Sequence, residues 1–373
     1  MGRLPTGVRK VGKRYEKRFT VNKIRYSVYA YSVDDLPQAE ADKREEIKKG
    51  IYTTSENLTL NELYQRWELS RIDSVKPNTI RVSRQRYKRL AECTIDKTGK
   101  TLGALKLKEI EPQQIRKAMQ DMKSSYGIDS INQSYSSIKQ MLELAKKERS
   151  IEWNPCEVIQ RLKHDRKSKN ASETIHRALT REETKKFLEC AEHSYYKNLF
   201  LLMLNTGLRV GEAVTIKYTD IDDINKTISI NRTLTHDISG ALVIGDTTKT
   251  KDSKRKIPIT QAVHRIIREQ QDINRALHFK NINNLLFYSQ SGNIVNHTSV
   301  NQEIAKICKR AEIERFSSHA LRDTFATRAI ESGMNPKTLQ MILGHSDFSI
   351  TMNLYCHVME DTKQEEMKLL RII

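Results

Sequence analysis

Between Lys163 and His176 the chain reads KHDRKSKNASETIH, a stretch with dense charge, no apolar periodicity and no strand-like alternation. Such a segment has too little apolar surface to order itself and reads as a flexible linker. It divides the 373 residues into two stretches, each long enough for a core of its own. The chain therefore folds as several domains. On both sides of the linker apolar residues recur mainly at helical spacing, and period-two alternation is confined to short runs. The expected fold class is multidomain, mainly α with small β elements.

At the N-terminus, Arg3, Arg9, Lys10, Lys13, Arg14, Lys17, Arg18, Lys23 and Arg25 face a single acid, Glu16. Tyr, Val, Phe and Ile alternate through Tyr15–Tyr31, which predicts a small antiparallel sheet with a basic face and a turn at Asn22-Lys23. Residues 38–50 read as a charged helix stopped by Gly50. A helical unit follows. Thr59 caps a helix carrying Leu60, Leu63, Tyr64 and Trp67. Pro77 opens a second, with Ile80, Tyr87 and Leu90, and Pro112 a third. Residues 130–148 form a fourth, with Ile131, Tyr135, Ile138, Leu142 and Ala145 inward. Arg81, Arg84, Arg86, Lys88 and Arg89 crowd one of these helices, a face suited to phosphates or to water.

Beyond the linker, Thr180 and Glu183 form a capping box at the start of the largest domain. Strands are expected at 227–234, 241–246 and 256–260, and mainly helix over 261–370. The 65 Lys+Arg against 46 Asp+Glu give a formal net charge of +19, which suits a polyanion such as nucleic acid. The longest apolar runs, such as residues 199–204 (LFLLML), are too short to span a bilayer, and no secretory signal is visible. The five cysteines are scattered singly and the histidines lack zinc-ligand spacing. Reduced thiols, a cytoplasmic location and no metal are the expectation. No phosphate-binding or dinucleotide glycine motif occurs, so no cofactor is expected.

The chemistry-bearing residues lie in the last domain: Arg209, His319, Arg322, His345 and Tyr355, in that order. Arginine offers a fixed donor fork matched to phosphate oxygens. A tyrosine hydroxyl can form a covalent bond to phosphorus, and histidine moves protons near neutral pH. One arginine or one tyrosine alone would say nothing; the ordered set supplies what attack on a phosphodiester without a metal requires. Cys356 and His357 are adjacent and poorly placed to act as a nucleophile pair.

Four blocks resemble the tyrosine recombinases, the phage integrase family. NTGLRVGEA (205–213) is similar to the first arginine box, and TTKTKDSKRKIPI (247–259) to the β-hairpin lysine segment. SSHALRDTFATRAIESG (317–333) resembles the H-x-x-R box, and LGHSDFSITMNLYCHV (343–358) the closing histidine and tyrosine box. The layout most resembles integrases of temperate phages and conjugative transposons.

The resemblance implies an N-terminal three-stranded β domain that binds arm sites (1–55) and a helical, SAM-like domain that binds core sites (56–165). A linker (166–176) and an α+β catalytic domain with a C-terminal exchange tail (177–373) follow. Tyr355 becomes the nucleophile that leaves a 3′-phosphotyrosyl bond. Arg209 and Arg322 bind non-bridging oxygens, His319 serves as general base or proton relay, and His345 donates to the phosphate. Lys249 becomes the general acid, with Lys251, Lys254 and Lys256 as neighbouring candidates, and Glu212 supports an arginine. Arg9, Lys10, Lys17, Arg18, Arg81, Arg84 and Lys88 are candidate DNA contacts. The implied partners are double-stranded DNA at core and arm sites, three further copies in a tetramer, an excisionase and a host DNA-bending protein. The implied setting is the nucleoid. A Xer-like resolvase, a type IB topoisomerase or a DNA-binding regulator that no longer cuts are the alternatives.

Overall fold

The structure is a computed structural model that describes residues 5–11, 14–21, 24–48, 58–164, 177–246, 254–277 and 283–358. It is mainly helical with small sheets, and its backbone contacts separate two compact units, Met1–Ser172 and Glu173–Ile373. Most of the charged run at 163–176 lies outside the described residues.

In the first unit, β1 (Val8–Val11), β2 (Arg14–Val21) and β3 (Ile24–Ala30) form an antiparallel sheet in the order β1-β2-β3. Helix α1 (Leu36–Lys48) starts two residues before the expected helix and joins Phe19, Val28 and Ala30 in a small core through Leu36. Strand alternation puts Arg9, Glu16, Arg18, Ser27 and Tyr29 on the opposite face. Glu16 is 1% exposed there, bonded by Arg9, by Arg18 at 2.9 Å and by Ser27 at 2.9 Å. Burial alone would raise its carboxyl; those donors outweigh it and hold it at about 2. Lys10 and Lys17 stand on the helix-side face instead, and Lys17 pairs with Glu40 of α1 at 2.7 Å. The four basic candidates of this sheet thus divide between two faces. Asn22 and Lys23 lie outside the described residues.

A second core in this unit belongs to α2 (Leu60–Arg71), α3 (Pro77–Ala91), α4 (Pro112–Asp121) and α5 (Ile128–Lys147). Thr59 and Glu62 close a capping box on α2, and Pro77 and Pro112 occupy first-turn positions where the missing N–H costs nothing. The Tyr64 and Tyr87 rings stack at 3.9 Å between α2 and α3. Beside them the Glu68 carboxylate accepts from Tyr64 at 2.8 Å and from both ends of the Arg84 fork at 3.0 and 2.9 Å. Arg84 is therefore a bridge between α2 and α3 as well as a basic surface residue. Arg81 donates to Asn78 at 3.1 Å, and Lys88 is exposed.

The second unit begins with α6 (Arg181–Ala191), closed by the expected Thr180–Glu183 capping box. Helices α7 (Lys197–Thr206) and α8 (Val210–Ala213) follow, then β4 (Ile221–Asp222), β5 (Thr227–Ile230), β6 (Arg232–His236), β7 (Leu242–Asp246) and β8 (Arg255–Pro258). The run expected as one strand over 227–234 breaks at Asn231. Its first half pairs with β4 and β8 and its second half with β7, so two small sheets form where the alternation suggested one element. The chain ends its described part with α9 (Gln261–Leu277), α10 (His297–Arg310), α11 (Ser318–Glu331), α12 (Pro336–Leu343) and α13 (Phe348–Val358). Helix α11 is central. Ala320 and Leu321 belong to the main core with Phe187, Phe200 and Leu202, while Ala326, Ala329 and Ile330 belong to a second cluster with Leu339 and Leu343. A helix flanked by two cores is buried nearly all round, which explains the small residues along α11.

Helix α7 ends on Gly207 in the left-handed conformation, φ 65°. A Cβ there would lie 2.4 Å from Phe325 and 2.7 Å from Leu343. Gly207→Ala is expected to cost about 2–4 kcal/mol, from left-handed strain plus overpacking. Thermal unfolding of the variant measures this, and an unchanged midpoint would show that the turn relaxes freely.

Among the described residues no helix is long and apolar enough to cross a membrane.

Candidate active site

Gly207 turns the chain out of α7, and two residues later Arg209 caps α8. The Glu212 carboxylate folds back onto that cap. One oxygen accepts the Arg209 backbone N–H at 3.0 Å, and the other accepts its Nη1 at 3.1 Å. Glu212 is only 4% exposed, whereas the Arg209 side chain is 41% exposed. The carboxylate is the buried half of the pair and the guanidinium reaches solvent. This is the arrangement expected of a residue that aims an arginine outward.

Arg322, on α11, is 2% exposed. Its Nη1 donates to the Gly207 carbonyl at 2.8 Å and its Nη2 to the Leu343 carbonyl at 2.8 Å. Gly207 and Leu343 stand at the C-terminal ends of α7 and α12. Helix C-termini carry partial negative charge and unpaired carbonyls, so two of them make a natural cradle for a buried cation. Burial, then the nearby Arg209 charge, pushes the Arg322 pKa down to about 9, and the group stays charged at neutral pH. Three of its five N–H donors remain beyond these two carbonyl bonds.

A third arginine, Arg255, which is not among the residues expected at the site, completes the cluster. Arg255, at the start of β8, grips Glu212 with Nη1 at 3.2 Å and Nη2 at 2.9 Å, and its Nε donates to the Ile342 carbonyl at 2.5 Å. Burial alone would raise the Glu212 carboxyl. The Arg255 hydrogen bonds and the charges of Arg255, Arg209 and Arg322 hold it below its ordinary 4.5. One signal was present in the sequence: alternation with inward Ile257 puts Arg255 on the same inward side.

His319 is exposed in the first turn of α11, one turn before Arg322. His345 follows Gly344, the left-handed cap of α12 with φ 67°. Its Nδ1 lies 2.9 Å from the hydroxyl of Thr351, which is fully buried. That contact orients the ring from its Nδ1 side. Thr351 was not foreseen, since nothing in the spacing marks it. Thr351→Val keeps the shape and removes the partner, and is expected to slow strand cleavage about 3- to 10-fold. Thr351→Ser should restore the rate. Single-turnover cleavage of both variants checks this.

Tyr355 lies on α13, its ring half-buried against the Ala326, Ala329, Ile330, Leu339 and Leu343 cluster. It shares that cluster with Leu343, whose carbonyl holds Arg322. The structure thus joins Arg209, Glu212 and Arg322 in one network, carries His345 two residues from it, places His319 on the Arg322 helix and packs Tyr355 alongside. Lys249, Lys251 and the tail after Val358 lie outside the described residues. Lys254 and Lys256 are exposed.

Comparison with known proteins identifies the family. The sequence profile of the phage integrase family matches residues 177–361. A XerC-like tyrosine recombinase of Caldanaerobacter subterraneus subsp. tengcongensis is 29% identical over 357 residues, covering 89% of this chain and 88% of the other. The transposase of transposon Tn916 from Enterococcus faecalis is 27% identical over 350 residues, covering 90% and 83%. Among solved structures, the Tn1549 transposon integrase in complex with transposon right-end DNA superposes with a TM-score of 0.68 at 25% identity, covering 84% of this chain and 99% of that one. The chain belongs to the phage integrase family and is a tyrosine-type site-specific DNA recombinase.

Proposed function

We propose that this recombinase integrates and excises a mobile element through a covalent bond between Tyr355 and the 3′ phosphate of the cut strand. Arg209 and Arg322 take the non-bridging oxygens and stabilise the charge that develops at phosphorus. His319 accepts the Tyr355 proton as the phenolic oxygen attacks. The bond to the 5′ oxygen breaks, and Lys249 supplies the proton that makes this oxygen a leaving group. Rejoining runs the same steps backwards, so the energy of the broken bond is kept in the phosphotyrosine. His345 donates to the same phosphate.

The observation that carries this reading is the one buried network that links Glu212 and three arginines to the turn bearing His345. Against Arg209, Arg255 and Arg322 stand the Glu212 carboxylate and, near Arg322, that of Asp323, so the cluster keeps surplus positive charge, and an anion completes it. Duplex DNA is the partner. The helical cluster around Tyr64 and Tyr87 and the catalytic unit grip the core site, the N-terminal sheet takes separate arm sites through Arg9 and Arg18, and four copies act together in the bacterial cytoplasm. An excisionase and a host bending protein set direction.

Incubation with a nicked suicide substrate built from the element's ends, followed by denaturation, tests this. A covalent protein–DNA species is expected. Sequence-selective binding with no adduct would favour a regulator that no longer cuts. Adducts on any supercoiled DNA, with relaxation and no site preference, would favour a topoisomerase.

A further inference from the structure

We propose that Arg255 is a positioning residue for strand cleavage, locking the arginine box and the His345 turn into one frame around the phosphate. The proposal rests on the reading of Arg209, Arg322 and His345 as phosphate ligands. Its basis is the set of partners that Arg255 ties together. The side chain starts on β8, its fork closes on Glu212 of α8, and its Nε reaches the Ile342 carbonyl in α12. Gly344 packs directly on it: a Cβ at Gly344 would lie 3.0–3.2 Å from the Arg255 Nη1, Cδ and Cζ atoms. Three segments that are remote in sequence thus meet on one guanidinium.

Arg255 itself is badly placed to take the phosphate. Its side chain is 6% exposed, and three of its donors are already engaged. Arg209, tied to the same carboxylate, is the member that reaches solvent. A rigid planar fork with a third donor is also what this geometry demands; a lysine ammonium is a single point and cannot span a carboxylate and a carbonyl at once. Losing such a support shifts the ligands it holds by fractions of an ångström, and misplacement by about 1 Å can cost on the order of 100-fold in rate.

The test compares Arg255→Lys and Arg255→Met in the full-length protein, at a temperature where thermal unfolding shows each to be folded. Duplex affinity is read by gel shift and cleavage by single-turnover adduct formation on the suicide substrate at saturating protein. Affinity is expected to stay within about 3-fold while cleavage falls about 10- to 100-fold in both variants, with lysine giving little rescue. In Arg255→Met the acid limb of the cleavage pH profile should also move upward, because Glu212, faced by Arg209, Arg255 and Arg322, then keeps only Arg209 and Arg322. Full activity of Arg255→Lys, a cleavage loss that only tracks the loss of binding, or an unmoved acid limb would overturn the proposal. Two variants that both fail to fold would also count against it, since they would assign Arg255 to stability. A wild-type protein that forms no adduct would instead defeat the proposed function.

Discussion

Tyr355→Phe is expected to abolish covalent adduct formation while DNA binding stays as it is. The substitution removes one oxygen and keeps the ring. The Tyr355 ring is half-buried against the cluster of Ala326, Ala329, Ile330, Leu339 and Leu343, so packing should barely change. The hydroxyl is the only part that chemistry needs. Removing a nucleophile typically lowers turnover by on the order of 10⁴-fold or more, because only binding and electrostatic stabilisation remain. Suicide-substrate cleavage and gel shift on the same preparation separate the two effects. An adduct that persists at more than trace level would mean that another residue attacks the phosphorus.

The second large effect concerns Glu212. Glu212→Gln removes the one buried negative charge that faces Arg209, Arg255 and Arg322, and leaves cations against a neutral amide. Breaking a buried ion pair by removing one partner costs about 3–5 kcal/mol, because the charge left behind stays desolvated. Chemical denaturation of the full chain should show that loss, and cleavage should fall about 100-fold through misplaced arginines. The acid behaviour follows from the direction of its pKa. The folded carboxyl lies below its ordinary 4.5, so its stabilisation is complete above that value and is lost as pH falls through the folded pKa. The difference in stability between wild type and Glu212→Gln should therefore shrink in acid. A constant difference from pH 7 down to about pH 3 would mean that the carboxylate charge is not what holds the cluster.

Local signals in the sequence were sufficient for much of the fold. Thr59 as a cap and Thr180 with Glu183 as a capping box mark helix starts that depend only on nearby groups, and both form as expected. The inward residues of α5 follow from 3.6-residue periodicity alone. Long-range partners were not legible. Nothing near Asn231 announces that the chain changes sheets there, because β8 and β7, the partners of its two halves, come later in the sequence. Strand alternation puts Lys17 and Arg18 on opposite faces although both belong to one basic run, and the partner that engages Lys17, Glu40, sits on a separate helix. At the candidate site, Arg209 and Arg322 stood out by residue type and order, and Glu212 through the family resemblance. Arg255 acts through carbonyl and carboxylate partners supplied by α12 and α8, and Thr351 through a histidine six residues away. Residue type alone carries little trace of such roles.

The most direct measurement is to digest the denatured adduct with protease and nuclease and locate the residual nucleotide by mass spectrometry. A 3′-nucleotide joined to the peptide that contains Tyr355 is the expected result. A nucleotide on another tyrosine or on Cys356, or an adduct through a 5′ phosphate, would contradict the convergence of Arg209, Arg322 and His345 on a phosphate attacked by Tyr355.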